Sequence, residues 1–285
     1  MIRLDAATVL LQWSVGGLFF LWVTTRGREV GIGYGWLVRG VYLLMALGAF
    51  ALGVWIDPVP VREVSALAVA GAAGAALVVS VVRRKAGVAG ERERVAARAA
   101  RVSAMTGIDR RPDGPNPDVP EFPPALDLVA PLLGLPGLIA AGIAAGDPAL
   151  LSVARVLVGA AFLGSISDGM LLGHWYLVQP GLARRPLLEM VRWTGLIWPL
   201  EIAVLLWPVG MVSVLNGTID DGYGGTFGWF WVACAVTTIV LVGVTRAALR
   251  ERYYSAVMAA TGLLYLAILT AFGTDLVARA VLAGA

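Results

Sequence analysis

The chain has 285 residues, of which 59% are hydrophobic and 14% are charged, and its formal net charge is +3. A soluble domain carries about 25% charged and about 45–50% apolar residues, so this composition excludes an ordinary soluble domain. The only cysteine, Cys234, excludes an internal disulfide and a zinc site built on several thiolates. The only histidine, His174, excludes bis-histidine haem ligation by this chain alone. We therefore predict an all-α, polytopic integral membrane protein with no metal site.

Long apolar segments divide the chain into predicted transmembrane helices. About 20 apolar residues are needed to cross roughly 30 Å of hydrocarbon. Eight segments meet this requirement, and Asp147 is predicted to cap the fifth of them. The eight predicted spans are Ala7–Thr25, Trp36–Ile56, Ser65–Val82, Ala125–Gly146, Ala149–Val178, Pro186–Leu215, Gly225–Leu249 and Tyr254–Leu276. Residues 1–82 thus hold helices 1–3, and residues 125–285 hold helices 4–8.

Residues 83–124 form the only sizeable segment predicted to lie outside the membrane. The stretch from Gly90 to Val102 is rich in alanine and has Glu–Arg neighbours at helical spacing, which predicts a charged helix. The stretch from Asp109 to Pro124 is rich in proline and predicts an extended linker. The segment either docks a cytoplasmic partner or anionic headgroups, or serves as a linker whose arginines only set the topology.

Basic residues follow the odd-numbered predicted spans and are scarce after the even-numbered ones. Cytoplasmic loops of membrane proteins carry an excess of Lys and Arg. This pattern predicts a multi-pass protein of the cell inner membrane with both termini on the outer side. The residues concerned are Arg26, Arg28, Arg83, Arg84, Lys85, Arg184, Arg185, Arg246, Arg250 and Arg252.

Two acids, Asp168 and Glu201, lie deep in the fifth and sixth predicted spans. The short connection between the spans predicts antiparallel neighbours. Asp168 lies about eleven residues, on the order of 16 Å, from the cytoplasmic end, and Glu201 lies about fifteen residues, roughly 22 Å, from it. We therefore predict that the acids lie at the same depth to within about one turn and share a proton or hold a cation. The alternative is hydrogen-bonded packing between helices. Pro199 and Pro208 predict a kink in the sixth span.

A histidine and two aromatic residues, His174, Trp175 and Tyr176, lie near the cytoplasmic end of the fifth span. His174 is six positions beyond the buried aspartate, a rotation of about 240°, so the two do not share a helix face. We predict instead that His174 meets Glu189 or Arg192 at the start of the sixth span. These five residues are a candidate site for a quinone or a lipid headgroup. The alternative is an interfacial aromatic belt.

The sequence contains no recognisable catalytic constellation, which argues against an enzyme. The first functional hypothesis is an integral membrane subunit of a larger energy-transducing complex, mainly an anchor, in contact with lipids, other subunits and either a quinone or a structural lipid. Eight helices without haem ligands resemble, by architecture alone, the quinone-interacting membrane subunits of respiratory complexes. The second hypothesis is a proton- or cation-coupled transporter of a small solute that uses Asp168 and Glu201. Neither hypothesis involves a covalently bound cofactor or nucleic acid.

Overall fold

The structure is a computed structural model that describes residues 5–107, 119–146, 148–179 and 181–282. These described residues form α-helices, two short 3-10 helices and no strand, which confirms the all-α prediction. The predicted capping residue Asp147 and residues 108–118 of the predicted linker lie outside the described residues. The α-helices are α1 Ala6–Thr25, α2 Ile32–Ile56, α3 Pro60–Val82, α4 Ala89–Thr106, α5 Val129–Ala144, α6 Ala149–Val178, α7 Arg185–Leu206, α8 Gly210–Leu215, α9 Thr226–Arg250 and α10 Tyr254–Leu282.

Within the described residues, seven helices are long and apolar enough to span a membrane: α1, α2, α3, α5 with its preceding 3-10 turn, α6, α9 and α10. The predicted sixth span, Pro186–Leu215, is wrong as one continuous helix. Its first part, α7, carries too many charged residues to be counted with the seven. Helix α7 ends at Leu206, before the cis peptide between Trp207 and Pro208, and α8 is a separate short helix. Proline cannot donate the backbone hydrogen bond that would continue α7, so the helix ends there.

Helix α1 is the innermost of the seven candidate spans. Its apolar window is 67% buried, whereas the windows of the other six are 33–44% buried. It packs against α2, α5 and α6, while α6 also packs against α7 and α10, and α10 packs against α9. The contact between α1 and α6 therefore joins two groups of helices. One group consists of α1, α2, α3 and α5, and the other consists of α6, α7, α9 and α10.

Small residues bring the backbones of α1 and α6 into direct contact. A Cβ atom added to Gly16 would lie 1.8 Å from the carbonyl oxygen of Ala160, and one added to Gly164 would lie 2.2 Å from the carbonyl carbon of Gly16. Small residues at a helix interface permit such close approach in membranes. The central contact between the two groups of helices therefore depends on the absence of side chains.

We expect Gly164→Ala to lower the free energy of unfolding by about 1–3 kcal/mol, because the added methyl group forces α1 and α6 apart. Thermal unfolding of the purified protein in detergent measures the change. Gly243→Ala in α9 is the matched control, since no atom lies within 4 Å of a Cβ added there. Equal stability of the two variants would contradict the packing account.

The arginine-rich connections meet at one end of the molecule, which we call the basic end. Arg26 pairs with Glu189 and Arg185 pairs with Glu29, so the α1–α2 and α6–α7 connections lie side by side. Arg184 donates to carbonyl oxygens of the α9–α10 connection. We call the opposite end, where α1 begins, the distal end. The side of the membrane that each end faces stays a prediction.

The charged helix predicted from Gly90 to Val102 is present as α4, and it is docked on the basic end. The backbone N–H of Gly90 donates to the carbonyl oxygen of Arg28 at 3.0 Å, and Arg94 Nη1 donates to the carbonyl oxygen of Glu29 at 2.9 Å. The start of α4 is therefore fixed against the α1–α2 connection. The described part of residues 83–124 is therefore not a free linker. The cytoplasmic partner predicted for this segment stays a prediction.

Candidate functional site: a buried polar layer beneath a pocket

A pocket of about 310 Å³ opens at the distal end, and we call it the distal pocket. Four of the residues that line it come from four different helices: Thr8 from α1, Arg155 from α6, Leu205 from α7 and Arg279 from α10. Asp5 and Asp57 also line it. The pocket therefore lies where the ends of these four helices converge.

One helical turn deeper, the same four helices carry Gln12, Gly159, Glu201 and Asp275. We call these four residues the polar layer. Residues four apart share a helix face. Helices α1 and α6 run inward from the distal end, whereas α7 and α10 run towards it, so each of the four residues lies about 6 Å below its pocket-lining neighbour. The polar layer is thus the next shell beneath the distal pocket.

Glycine at position 159 allows the polar side chains to converge. A Cβ atom added there would lie 2.2 Å from Gln12 Nε2, 2.5 Å from Arg279 Nη2 and 2.6 Å from Asp275 Oδ1. Any side chain at this position would displace all three groups. Gly159 therefore leaves the space in which the amide, the guanidinium and the carboxylate meet.

Asp275 and Arg279 form a buried ion pair. Arg279 Nε donates to both carboxylate oxygens of Asp275 at 2.8 Å, and its Nη2 donates to the carbonyl oxygen of Arg155 at 2.8 Å. The sequence spacing of four residues is typical of a helix ion pair. The side chain of Asp275 has no exposed surface, whereas the Arg279 side chain is 14% exposed, so the acid is internal and the guanidinium reaches the distal pocket.

The break in α7 supplies the partners of Arg155. Its Nε donates to the carbonyl oxygen of Val204 at 2.9 Å, and its Nη2 donates to that of Trp207 at 2.8 Å. In a continuous helix the Val204 carbonyl would bond to the N–H of residue 208, but Pro208 has none. The proline thus frees a carbonyl that fixes the arginine above the polar layer.

Glu201 and Gln12 are the exceptional members of the polar layer. Both are fully buried, no described residue donates a hydrogen bond to the oxygens of Glu201, and the polar atoms of the Gln12 side chain have no hydrogen-bond partner among the described residues. When it is protonated, Glu201 can itself donate to Asp275, which lies within hydrogen-bond reach. Glu201 lies within electrostatic range of Asp275, Arg279 and Arg155. Orphaned buried polar groups are rare and call for a functional explanation or a bound species.

Asp168 belongs to a second buried site. Its Oδ1 accepts a hydrogen bond from Tyr42 Oη at 2.6 Å, and its backbone oxygen accepts one from Tyr34 Oη at 3.3 Å. Tyr34 also lies against Thr24, which lines a larger pocket at the basic end. The surroundings of Asp168 thus lead towards the basic end rather than the distal end.

Hydrogen bonds between α6 and α7 set the register of the two helices. Thr194 Oγ1 donates to Ser165 Oγ at 3.1 Å, and Arg155 Nε donates to the carbonyl oxygen of Val204. Both pairs fit one antiparallel alignment. In that alignment α7 begins at the level of His174, one turn before α6 ends.

The predicted equal depth of the two acids is therefore wrong. In the observed register Asp168 is level with Val191, and Glu201 is level with Val158. The acids lie about ten residues, or about 15 Å, apart along the helix pair. Counting residues from the connection failed because α7 starts alongside the last turn of α6 rather than beyond it. The structure thus contains two acidic sites, not one carboxylate pair.

The structure does not bring the five residues of the predicted quinone or headgroup site together, and the ligand itself stays a prediction. Exposed His174 places Nδ1 3.1 Å from Tyr265 Oη of α10, Trp175 packs beside Tyr34 of α2, and buried Tyr176 donates to a carbonyl of the α6–α7 connection. Consecutive helix residues point about 100° apart, so these three side chains reach three different neighbours.

Glu189 and Arg192 are not partners of His174, and that prediction is also wrong. Glu189 pairs with Arg26 across the α1–α7 contact. Both Glu189 and Arg192 line the pocket at the basic end, which has a volume of about 660 Å³ and which we call the basic pocket. His174 instead lies on the face of α6 that meets α10.

Sequence reasoning missed a buried ion pair near the basic end. Arg39 Nε and Nη2 donate to the two carboxylate oxygens of Asp127 at 2.7 and 2.8 Å, and the guanidinium lies 4.2 Å from the centre of the Phe122 ring. The signal was present, since each is the only charged residue of an apolar predicted span. Opposite charges isolated in two spans near the same end indicate a pair.

Comparisons with protein-family models, curated proteins and solved structures find no match.

We expect Tyr42→Phe to lower the free energy of unfolding by about 1–3 kcal/mol, because it leaves the buried carboxyl of Asp168 without its donor. Thermal unfolding in detergent measures the change. Tyr265→Phe is the matched control: its hydroxyl contacts only the exposed His174 ring, so we expect a change within about 0.5 kcal/mol. Equal effects of the two variants would remove the structural role of Tyr42.

Proposed function

We propose that this protein is a proton-coupled transporter of a small solute, in which Glu201 is the proton-binding group beneath the distal pocket and Asp168 is a second carrier towards the basic end. One observation carries the proposal. Glu201 is a fully buried carboxyl group that accepts no hydrogen bond from the described residues, lies within hydrogen-bond reach of Asp275, and is placed one turn below an open pocket. Ionisable residues inside membrane helices often form proton or substrate pathways.

The neighbours of Glu201 suggest how a proton and a solute are coupled. Arg279 is within electrostatic range of two acids, Asp275 and Glu201, and it lines the distal pocket. When Glu201 is protonated, Arg279 pairs with Asp275 alone. When Glu201 loses its proton, the two carboxylates compete for the same guanidinium. Proton binding therefore changes the charge that the pocket presents to a solute, which is a coupling free energy between two sites.

The packing between the two acidic sites supports a transporter with a closed centre. Gly16, Ala160 and Gly164 bring α1 and α6 into backbone contact between the polar layer and the level of Asp168. This contact closes the space between α1 and α6 at that level. Transport then requires one group of helices to move against the other, as alternating access around a membrane-embedded site requires.

Proton uptake by proteoliposomes tests the proposal. Vesicles that contain a pH-sensitive dye and an inside-negative potential are challenged with a panel of small amino acids, whose two charges suit a pocket lined by Asp57, Arg155 and Arg279. We expect at least one solute to accelerate internal acidification only when the protein is present. Acidification at the rate of protein-free vesicles for the whole panel would contradict the proposal.

The role of a subunit in a larger membrane complex stays a prediction. The residues on which its quinone site depended, His174, Trp175 and Tyr176, face three different neighbours. Purification in mild detergent tests this alternative. Stoichiometric copurification of other membrane proteins would support it, and a monodisperse single chain would weaken it.

A further inference from the structure

We propose that the basic pocket binds a phosphate group, carried either by an anionic lipid headgroup or by a soluble phosphate compound. This site is separate from the polar layer and does not depend on the proposed transport function. The pocket lies between α1, α7 and α9, and its volume of about 660 Å³ is within the range of small-molecule sites. Its charged lining consists of Arg26, Glu29, Arg185, Glu189, Arg192, Arg246 and Arg250.

The charge balance of the basic pocket favours an anion. Its two glutamates are each neutralised within the pocket, since Glu189 pairs with Arg26 and Glu29 pairs with Arg185. The other three arginines, Arg192, Arg246 and Arg250, have no carboxylate partner among the described residues. The pocket therefore carries three uncompensated positive charges, which a phosphate group can neutralise through charge-assisted hydrogen bonds.

The three unpaired arginines also lie close together in the pocket lining. Arg246 and Arg250 are four residues apart and share a face of α9. A Cβ atom added to Gly195 of α7 would lie 3.5 Å from Val242 Cγ1 of α9, and this antiparallel register brings Arg192 to within about one residue of the level of Arg246. Guanidinium groups from two helices thus converge on one opening, where they repel each other until an anion binds.

The depth of Arg192 points to the same ligand chemistry. In the α6–α7 register it is level with Ser167, so it lies within the apolar length of the bundle rather than at its edge. An unpaired arginine at such a depth is costly in lipid. Apolar residues beside it, Val23 and Leu188, also line the pocket and can contact an acyl chain. Basic pockets between membrane helices are known to hold anionic headgroups.

The test compares two triple variants of the full chain that remove equal charge from the basic end. One variant replaces the unpaired pocket arginines, R192Q/R246Q/R250Q. The control, R84Q/R98Q/R101Q, replaces arginines outside the pocket that have no ion-pair partner among the described residues. Each protein is reconstituted in phosphatidylcholine with a minor fraction of phosphatidylglycerol, and native mass spectrometry counts the phosphatidylglycerol retained after transfer to mild detergent. A second arm measures the thermal shift caused by inorganic pyrophosphate in phosphatidylcholine alone.

We expect the wild type and the control to retain phosphatidylglycerol and the pocket variant to lose affinity about tenfold or more. If pyrophosphate stabilises the wild type and the control but not the pocket variant, the ligand is a soluble phosphate compound and the site stands. Equal retention, equal loss or equal thermal shifts in both triple variants overturn the proposal. Should the pocket triple variant fail to fold, Arg250→Gln against Arg98→Gln gives the same comparison.

Discussion

We expect Glu201→Gln to abolish solute-driven proton uptake in proteoliposomes, while the purified variant stays folded. Glutamine keeps the size of the side chain but cannot carry a proton. No described residue donates to the oxygens of Glu201, and the glutamine amide can still donate to Asp275, so the substitution removes the titrating proton and keeps the contact. We expect uptake at the rate of protein-free vesicles, measured with an internal pH-sensitive dye.

Glu93→Gln is the matched control for this result. Glu93 is exposed on α4 and forms no ion pair among the described residues, so we expect wild-type uptake. Both variants change the net charge of the chain equally. Undiminished uptake by Glu201→Gln, or equal loss in both variants, would contradict a proton-carrying role for Glu201.

We expect Arg39→Gln to lower the free energy of unfolding by about 3–5 kcal/mol, because it leaves the buried carboxylate of Asp127 unpaired. Both side chains are almost wholly inaccessible, at 2% and 1% exposure, so water cannot replace the lost donors. The substitution also removes the guanidinium that lies over the Phe122 ring. Denaturant unfolding of the protein in detergent measures the change.

A second substitution separates the unpaired charge from the general loss of packing. The double variant Arg39→Gln/Asp127→Asn leaves no unpaired buried charge at this position, so we expect it to recover much of the lost stability. Arg98→Gln on the exposed face of α4 should have little effect. If Arg39→Gln proves as mild as Arg98→Gln, the Arg39–Asp127 pair does not stabilise the fold.

The sequence predicts the helical class and most of the helices because apolar runs about 20 residues long have few alternatives in a membrane protein. Seven of the eight predicted spans correspond to helices that can cross a membrane. The helix from Gly90 to Val102 was predicted from its Glu–Arg spacing and is present as α4. Pro208 predicts a kink within one helix, whereas in the structure it lies between α7 and α8.

The polar layer could be predicted only in part. Glu201 stands out as a lone acid in an apolar run, and the spacing of Asp275 and Arg279 predicts their pairing. That these residues meet Gln12 depends on which faces four helices present to one another, which a single sequence does not specify. The register of α6 and α7 likewise depends on tertiary hydrogen bonds such as Thr194 to Ser165.

The least predictable feature was which neighbours the side chains of sequence-adjacent residues contact. His174, Trp175 and Tyr176 are adjacent in sequence, but helix geometry sends them to α10, α2 and the α6–α7 connection. Arg39 and Asp127 are far apart in sequence, yet they form one bidentate ion pair. Residues adjacent on a helix therefore need not contact the same neighbours. Residues far apart in sequence can form a pair that sequence spacing does not indicate.

The central claim is that Glu201 exchanges its proton through the distal pocket. Infrared difference spectroscopy of the reconstituted protein between acidic and alkaline buffer tests it most directly, because a buried protonated carboxyl group has its own carbonyl band. We predict a band that appears at acidic pH in the wild type and in Glu93→Gln and is missing in Glu201→Gln. Identical difference spectra for the wild type and Glu201→Gln would contradict the claim.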